Sequence, residues 1–576
     1  MKDPNSAQQK STIGLITLDS YVSLYSETMR YLATNLKRNG YSSVRIGCDG
    51  VLNACTSLNS LGNIEITEEI KYGVCRDCKS RQSKIPGDFN FVLTKSNTRF
   101  NSDAQAFLQD VTENLSKNSV IASVIDKKFQ SLALCKIAFF DFSIIHKKLP
   151  DSYLTESDIK RYISGVGDLL RILSLFKDDF RNIYFSDIVY VNGNYSQNTL
   201  IRQLVKPLGT ICHSIEPQLT SQSLVSKIFI KVDRLEISPE AIHSISNKEN
   251  FSRTDFKKVL KNFRARINGK DFNAYTSLSR LPVDEELKKI QAFLGRYEQI
   301  QSFFMSSEDE FVPHRETHDF RVEKAGGIYM MPFENQLEFT KFYLTQAALN
   351  PNIGFIIRMH PRMAKNKRDI FESEEHIRYK ILLSGVQLNE NVLIIYGDSK
   401  ISSYYLISRS NLVVVTWSTI GLEALLIGAP VISIFPGYLM YPLNKFSKQP
   451  GSIEELGEAF RGGSNFGRPK DKALILWLSE AYEGKFFSTL APRGSQTILG
   501  KLYQRVYRFL DKLGLYYFFY RLSENNLLGN VSQTKPNFYV KKSLTTSFRE
   551  SDLFLLSEYR REVSALLNKY KSTFQD

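Results

Sequence analysis

No apolar run in this 576-residue chain approaches the roughly 20 residues that a membrane-spanning helix needs. The nearest candidate, Phe139-Phe140-Asp141-Phe142, is interrupted by an acid. The opening residues, Met1-Lys2-Asp3-Pro4-Asn5-Ser6, lack the apolar core of a secretory signal. Zinc-finger, basic-zipper and RNA-recognition signatures are missing, so the usual vehicles of nucleic-acid binding are excluded. Internal repeats and low-complexity tracts are also missing, which excludes solenoids and disordered linkers of that kind. The expectation is a cytoplasmic, globular protein that does not bind nucleic acid.

Hydrophobic residues make up 42% of the chain and charged residues 23%, ordinary values for a globular protein. A single core does not extend over this length, and the length prior suggests two or three domains. The formal net charge of +15 fits anionic lipid or a phosphorylated small molecule as partner, or a solvated Lys/Arg-rich surface.

Short β-branched runs alternate with helix-length segments, the pattern of a parallel α/β sheet. In the first part Ile13–Leu18 and Val44–Gly47 read as strands around a helix carrying Tyr31, Leu32 and Leu36, stopped at Asn39-Gly40. Thr155 with Asp158 resembles a capping box opening a helix, Ile188–Val191 reads as a strand, and a helix over 197–205 closes at Pro207 and Gly209. Residues 232–295 are polar and charged, with helical stretches and no strong strand, and read as a connection. A second α/β unit begins with Phe303-Phe304-Met305. It continues through Gly354–Met359, Val392–Tyr396, Leu412–Trp417 and Pro430–Ile434. The expected organisation is a Rossmann-like domain over 1–231, a connecting segment over 232–295, a second Rossmann-like domain over 296–480 and a helical extension over 481–576.

Ligands of such sheets sit at the carboxyl ends of the strands, and the polar residues just past those ends are therefore the candidates. His360 follows a strand and precedes Pro361, which keeps it out of helical geometry; it reads as a ligand contact or as a strand cap. Arg358 shares a strand face with it and suits a phosphate. Ser418 and Thr419 stand where a strand hands over to a helix, either as an anion site or as helix caps. Gly421 and Gly428 permit close packing there. Ser306-Ser307 with Asp309-Glu310 occupies the first strand end of the second domain.

Arg358-Met359-His360-Pro361, Ser402-Ser403-Tyr404-Tyr405-Leu406, Trp417-Ser418-Thr419-Ile420-Gly421-Leu422-Glu423-Ala424 and Gly428-Ala429-Pro430-Val431-Ile432 together resemble bacterial capsule and surface-polysaccharide glycosyltransferases. Cys48-Asp49-Gly50-Val51-Leu52, Cys75-Arg76-Asp77-Cys78 and Val191-Asn192-Gly193 resemble the same group more weakly. The resemblance implies the GT-B architecture, two Rossmann-like domains facing a cleft. It also implies a sugar moved from a CMP-, UDP- or GDP-linked donor to a saccharide or lipid-linked saccharide acceptor. By the same analogy His360 contacts the nucleotide, Glu423 the ribose hydroxyls, and the Ser402-Ser403 loop lies near the nucleotide. An inverting enzyme would need a general base from the first domain, for which Asp19 and Glu27 are the candidates. The chain has no Asp-x-Asp triplet in a strand-end loop, so no catalytic metal is expected. A nucleotide-sugar epimerase or hydrolase of the same fold, and a non-catalytic assembly protein, are the alternative readings.

Cys48, Cys55, Cys75 and Cys78 cluster in sequence and permit either a structural zinc site or reduced structural thiols. Cys135 and Cys212 read as ordinary buried cysteines. Residues 501–522 form a basic, aromatic, amphipathic stretch suited to an anionic membrane surface, such as the inner face of the cytoplasmic membrane, or to packing on the first domain.

Overall fold

The alternating runs build two separate parallel sheets in the computed structural model. It describes residues 12–38, 41–62, 65–96, 98–178, 185–220, 223–232, 253–269, 285–317, 333, 335–365, 372–435, 441, 443–462, 465–475, 486–487 and 550–572. The strands are β1 (Thr12–Ile16), β2 (Ser42–Cys48), β3 (Phe89–Leu93), β4 (Phe185–Val191), β5 (Ile211–Thr220), β6 (Ser223–Val232), β7 (Gln299–Phe304), β8 (Ile353–Arg358), β9 (Val392–Ile395), β10 (Leu412–Val415), β11 (Val431–Ser433) and β12 (Phe486–Phe487).

The first sheet has the order β12-β6-β5-β4-β1-β2-β3 and the second β11-β10-β7-β8-β9. All pairings in the second sheet are parallel, as are those from β5 to β3 in the first. In both sheets the first strand lies centrally, between the second and the fourth. The strand order therefore reverses beside β1 in one domain and beside β7 in the other, and a crevice opens at each reversal.

The two Rossmann-like domains expected from the sequence are thus present. Unread in the sequence is the antiparallel β5–β6 hairpin, extended by β12, which carries chain from beyond the second domain back to the edge of the first sheet.

The helices that fix the crevices are α1 (Ser23–Arg38), α2 (Glu68–Gln82), α3 (Ser102–Asn118), α4 (Leu134–His146), α5 (Glu156–Asp178) and α6 (Ser196–Val205) in the first domain. The Thr155–Asp158 capping box forms: Asp158 N donates to Thr155 Oγ1 (3.2 Å) and Thr155 N to Asp158 Oδ2 (3.0 Å). Next come α7 (Arg253–Ile267), α8 (Glu285–Arg296), α9 (Glu308–Thr317), α10 (Gln336–Leu349), α11 (Glu374–Ser384), α12 (Ser403–Ile407), α13 (Ile420–Ile427) and α14 (Glu550–Ser572).

The helices α7 and α8 belong physically to the second domain. Leu260, Phe263 and Ile267 of α7 and Leu287, Ile290 and Phe293 of α8 enter its core. Helix α14 joins the same core through Leu555, Leu556, Tyr559, Val563 and Leu567. Its Arg560 donates to the carbonyls of Leu425 and Leu426 (3.0 Å each) at the end of α13 and forms two hydrogen bonds with Asp471 (2.7 and 2.8 Å). Carbonyls orphaned at a helix end thereby gain a cationic donor. The stretch 501–522 lies outside the described residues. Among the described residues no helix is long and apolar enough to cross a membrane.

The role of α14 as a core element has a direct consequence. Leu556 is fully buried, so Leu556→Ala should cost about 2–5 kcal/mol of stability. Phe554, exposed on the same helix, should tolerate Ala within about 0.5 kcal/mol. Urea denaturation of both variants checks this, and equal losses would remove α14 from the core.

Candidate active site at the carboxyl ends of the two sheets

In the second domain the crevice lies between β7 and β10, and one amide ties its two walls. Gln336, fully buried at the start of α10, accepts from Ser306 N (2.9 Å) and Thr416 Oγ1 (3.1 Å), and donates to Ser306 O (3.0 Å). Ser307 bonds through its hydroxyl to Asp309 in the first turn of α9. Glu375 accepts from Glu308 N (3.0 Å), and burial together with Glu308 and Asp309 holds its carboxyl well above the usual range.

His360 stands just past β8, as expected. Its Nδ1 accepts from Arg362 N (3.2 Å), which leaves the hydrogen of the neutral ring on Nε2. Burial, then Arg362, Arg358 and Lys147, push its pKa down to about 3, so the imidazole is neutral at physiological pH. Arg358 is fully buried and braces the loop after β9, donating to the carbonyls of Tyr396 and Ser399 (3.1 Å for the latter). Its guanidinium therefore supports the β8 end from below rather than lining the crevice surface.

At the end of β10, Ser418 Oγ accepts from Ile420 N (3.3 Å) and Tyr441 OH donates to Ser418 O (2.8 Å). Gly421 N and Leu422 N turn back to the carbonyls of Ser418 and Thr419 (3.4 and 3.0 Å). The first turn of α13 is thus closed on itself, with Thr419 exposed at its mouth. Gly421 is required by the tyrosine: a Cβ there would lie 2.4 Å from Tyr441 Oη. Glu423 is buried, paired with Arg266 of α7 (3.1 Å) and accepting from Tyr404 OH. Ser402 and Ser403 are buried at the start of α12, and Ser402 Oγ has no partner among the described residues.

In the first domain Asp19 follows β1 at the strand-order reversal. Its turn is fixed on every side: Ser20 Oγ and Gln82 Nε2 donate to Thr17 O (2.8 and 3.0 Å), and Ser57 Oγ to Leu18 O (3.1 Å). Burial raises the Asp19 pKa to about 7, with its own backbone N–H opposing the shift. Asp141 of α4 also rises to about 7 through burial, but it accepts from Ser196 N (3.1 Å) and so caps α6. Tyr195 lies within charge range of both carboxyls, and its hydroxyl is 3.3 Å from that of Tyr25. Glu27 falls in α1 with its side chain outside what the structure describes.

The four clustered cysteines share a neighbourhood, because Cys48 acts electrostatically on Cys55 and Cys75, and Cys78 on Cys55. Two of the sulfurs have hydrogen-bonding neighbours: Cys48 Sγ accepts from Gly50 N (3.2 Å), and Cys78 Sγ contacts Ser57 Oγ (3.6 Å) and Gln82 Nε2 (3.4 Å). Burial pushes all four thiols above their ordinary value. Among the described residues no group of three or more His, Cys, Asp or Glu side chains is placed to hold a metal ion.

The domains meet at these same strand ends. Helix α4, whose Asp141 caps α6 at the end of β4, packs against α9 at the end of β7. Arg362 pairs with Asp309 (2.7 Å) and donates to Ile144 O (2.6 Å), while Lys147 donates to Arg362 O (2.6 Å). Phe311 of α9 stacks on Trp417 at 4.1 Å. His360 thus stands at the end of β8 and Ser418 and Thr419 past the end of β10, the two strands that flank β7, whereas Glu423 and Arg358 are turned into supporting contacts. Sequence reasoning missed Gln336, Lys147, Arg266, Arg362 and Tyr441. Only Arg362, directly after Pro361 in the strand-end run, carried a local signal.

No protein-family model and no curated protein sequence matches the chain. Among solved structures it is similar to Thermosulfurimonas dismutans KpsC, beta Kdo 2,4 transferase, at 12% identity over 51% of this chain and 79% of that one, TM-score 0.30. It is also similar to Methanocaldococcus jannaschii UDP-GlcNAc 2-epimerase (10%, 81% and 97%, TM-score 0.27) and to the wall teichoic acid polymerase TagF (11%, 87% and 90%, TM-score 0.21). Likeness at this level carries no argument about the site, which rests on its own residues.

The tight pass at Gly421 is open to measurement. Gly421→Ala should cost about 1–3 kcal/mol by overpacking against Tyr441. Adding Tyr441→Phe should restore part of that loss, because it removes the clashing oxygen. A double-mutant cycle by thermal or urea denaturation reads the coupling; strict additivity would place the strain elsewhere.

Proposed function

We propose that the protein is a glycosyltransferase that moves a sugar from a nucleotide-activated donor to a surface-polysaccharide acceptor, either saccharide or lipid-linked saccharide. The observation that carries this reading is the meeting of two crevices, each at the carboxyl end of a parallel sheet, with a basic carboxyl in one and neutral hydrogen-bonding groups in the other. The nucleotide lies in the second domain, against His360 and the Ser418–Thr419 turn. His360 offers Nε2–H without carrying charge, so it donates to a phosphate oxygen in either protonation state of its neighbours. Glu423, tied to Arg266 and Tyr404, holds α13 in place beneath that turn rather than contacting the nucleotide. Asp19 takes the proton from the attacking acceptor hydroxyl, and its raised pKa matches that task at neutral pH. Orientation of two bound substrates and stabilisation of the leaving phosphate supply the rest of the rate. A cytoplasmic site, at or near the inner membrane face, suits both substrates.

Purified protein should release nucleotide from one of the CMP-, UDP- or GDP-sugars, and the release should depend on a saccharide acceptor. Turnover without any acceptor would favour the epimerase or hydrolase reading, and no turnover with any donor would remove the proposal.

The pH dependence has a definite sign. Asp19 must be ionised to accept a proton, and its folded pKa lies near 7, so kcat/KM should rise about tenfold per pH unit below pH 7 and level off above it. His360, with a pKa near 3, contributes no limb in that range. Asp19→Asn should lower kcat/KM by about 10²–10⁴-fold and abolish the limb. The same change should raise stability at pH 8: burial holds the folded pKa above the unfolded value, so the wild type loses stability as pH rises from about 4 to about 7. A pH limb that survives in Asp19→Asn would assign the base elsewhere.

A further inference from the structure

The crevice of the first domain holds two amides that the reading above does not use. Helix α1 packs on one face of the sheet, where Met29 and Ala33 meet Ile13, Leu15, Val189 and Val191. Helix α6 packs on the other, where Leu200, Ile201 and Val205 meet Ile16, Ile188 and Tyr190. The crevice opens where these two helices part. Strands β1 and β4 run in register, with Leu15 opposite Val189, so the chain leaves both strands side by side. Asp19 follows one strand and the loop 192–195 follows the other. The hydroxyls of Tyr25 and Tyr195 meet across the gap at 3.3 Å.

The loop after β4 is braced by its own polar groups. Asn194 N donates to Asn192 Oδ1 (3.2 Å) and Gly193 N to Ser214 Oγ (2.9 Å). Asn198 Nδ2 donates to the carbonyls of Val191 and Asn192 (2.7 and 3.1 Å), and Thr199 Oγ1 to that of Gly193 (3.2 Å). Ser196 Oγ donates to Ile137 O (2.6 Å). The side-chain amides of Asn194 and Gln197 take no part in this bracing. Asn194 Oδ1 and Gln197 Nε2 are buried and have no hydrogen-bonding partner among the described residues. Gln197 is only 3% exposed, so bulk water does not reach it. Burying such groups is unfavourable unless a partner arrives. One is an acceptor and the other a donor, which limits what that partner is. A phosphate oxygen has no hydrogen for Asn194 Oδ1, and an ammonium has no lone pair for Gln197 Nε2. A hydroxyl donates to the first and accepts from the second.

We propose that Asn194 and Gln197 bind a ring hydroxyl of the acceptor saccharide and hold that sugar beside Asp19. This rests on the glycosyltransferase reading. It adds which residues select the acceptor: an uncharged amide pair on a braced loop, recognising a neutral hydroxyl. A loop already held in place loses little freedom when the sugar arrives.

The test uses the full chain and the donor from which it releases nucleotide. The acceptors are the methyl glycosides of glucose, galactose, rhamnose and N-acetylglucosamine, each with its monodeoxy analogues. Gln197→Met keeps the length of the side chain and removes its amide; Asn194→Ala removes the other amide at a half-buried position. With the glycoside that the wild type uses best, each variant should raise the acceptor KM about tenfold or more, while the donor KM stays within about twofold. One monodeoxy analogue should be poor for the wild type, and both variants should lose that discrimination. Without saccharide, Gln197→Met should unfold no earlier than the wild type in a thermal scan, because no hydrogen bond is lost. Earlier unfolding or failure to fold would make the amide a structural group and overturn the inference. Equal changes in the two KM values, or deoxy discrimination that both variants retain, would overturn it while leaving the transferase reading intact. Nucleotide release that none of these glycosides stimulates would also overturn it. Wild-type protein that releases nucleotide from no donor would overturn both.

Discussion

The ion pair between Arg362 and Asp309 is the contact on which the arrangement of the two crevices depends. Asp309 is buried in the first turn of α9, and Arg362 lies in the loop just past β8, so the pair fixes the ends of two adjacent strands to each other. The same guanidinium reaches Ile144 O at the end of α4, and the first domain is thereby held to that corner. A buried charge of this kind is costly to leave unpaired, by roughly 3–5 kcal/mol. Its geometric effect exceeds its energetic one. Phe311, one turn along α9, is delivered onto Trp417 at the end of β10, and the crevice between β7 and β10 gains an aromatic wall.

Desolvation is the common cause of the site's electrostatics, and it acts with opposite results on the two sides. Removing water disfavours whichever form is charged, so Asp19 and Asp141 move up toward neutrality while His360 moves down away from protonation. Asp141 and Asp19 show the limit of reading function from a shift alone. Both rise to about 7, yet Asp141 is committed to the N-terminus of α6, whereas Asp19 is held by its backbone in a turn that other residues brace. The difference lies in what each carboxylate is bound to.

Most strands of the parallel sheets were legible because they are short apolar runs ending at a polar turn, and hydrophobic patterning is local; the edge strand β3 was not, since its sequence FNFVL carries an asparagine and leaves Phe89 exposed. The hairpin β5–β6 was not, since Glu216, Pro217 and Gln218 interrupt its apolar character and its partner strand β12 lies more than 250 residues away in sequence. For the site, position was legible and engagement was not. His360, Ser418 and Asp19 stand at strand ends as expected. The role of Glu423 depends on Arg266, 157 residues distant, and that of Gly421 on Tyr441. Such pairings arise only when the chain is folded, and a single sequence has no local mark for them. Helices α7 and α8 read as a connection because they are charged, yet their narrow apolar faces are enough to seat them on the second core.

The placement of α7 and α14 bears on how the second domain can move. Arg266 of α7 holds Glu423, Arg264 of the same helix pairs with Glu562 of α14, and Arg560 of α14 caps the end of α13. One short helix is therefore gripped at its side and at its end by two segments that lie far apart in the chain. Its N-terminal turn, closed by Ser418 and pinned by Tyr441, has little freedom to shift independently. Among the described residues the first domain touches the second through α4, α9, Lys147 and Arg362, a polar seam beside this braced wall. Rigid walls on one side and a polar seam on the other suit a cleft that closes by moving whole domains rather than loops.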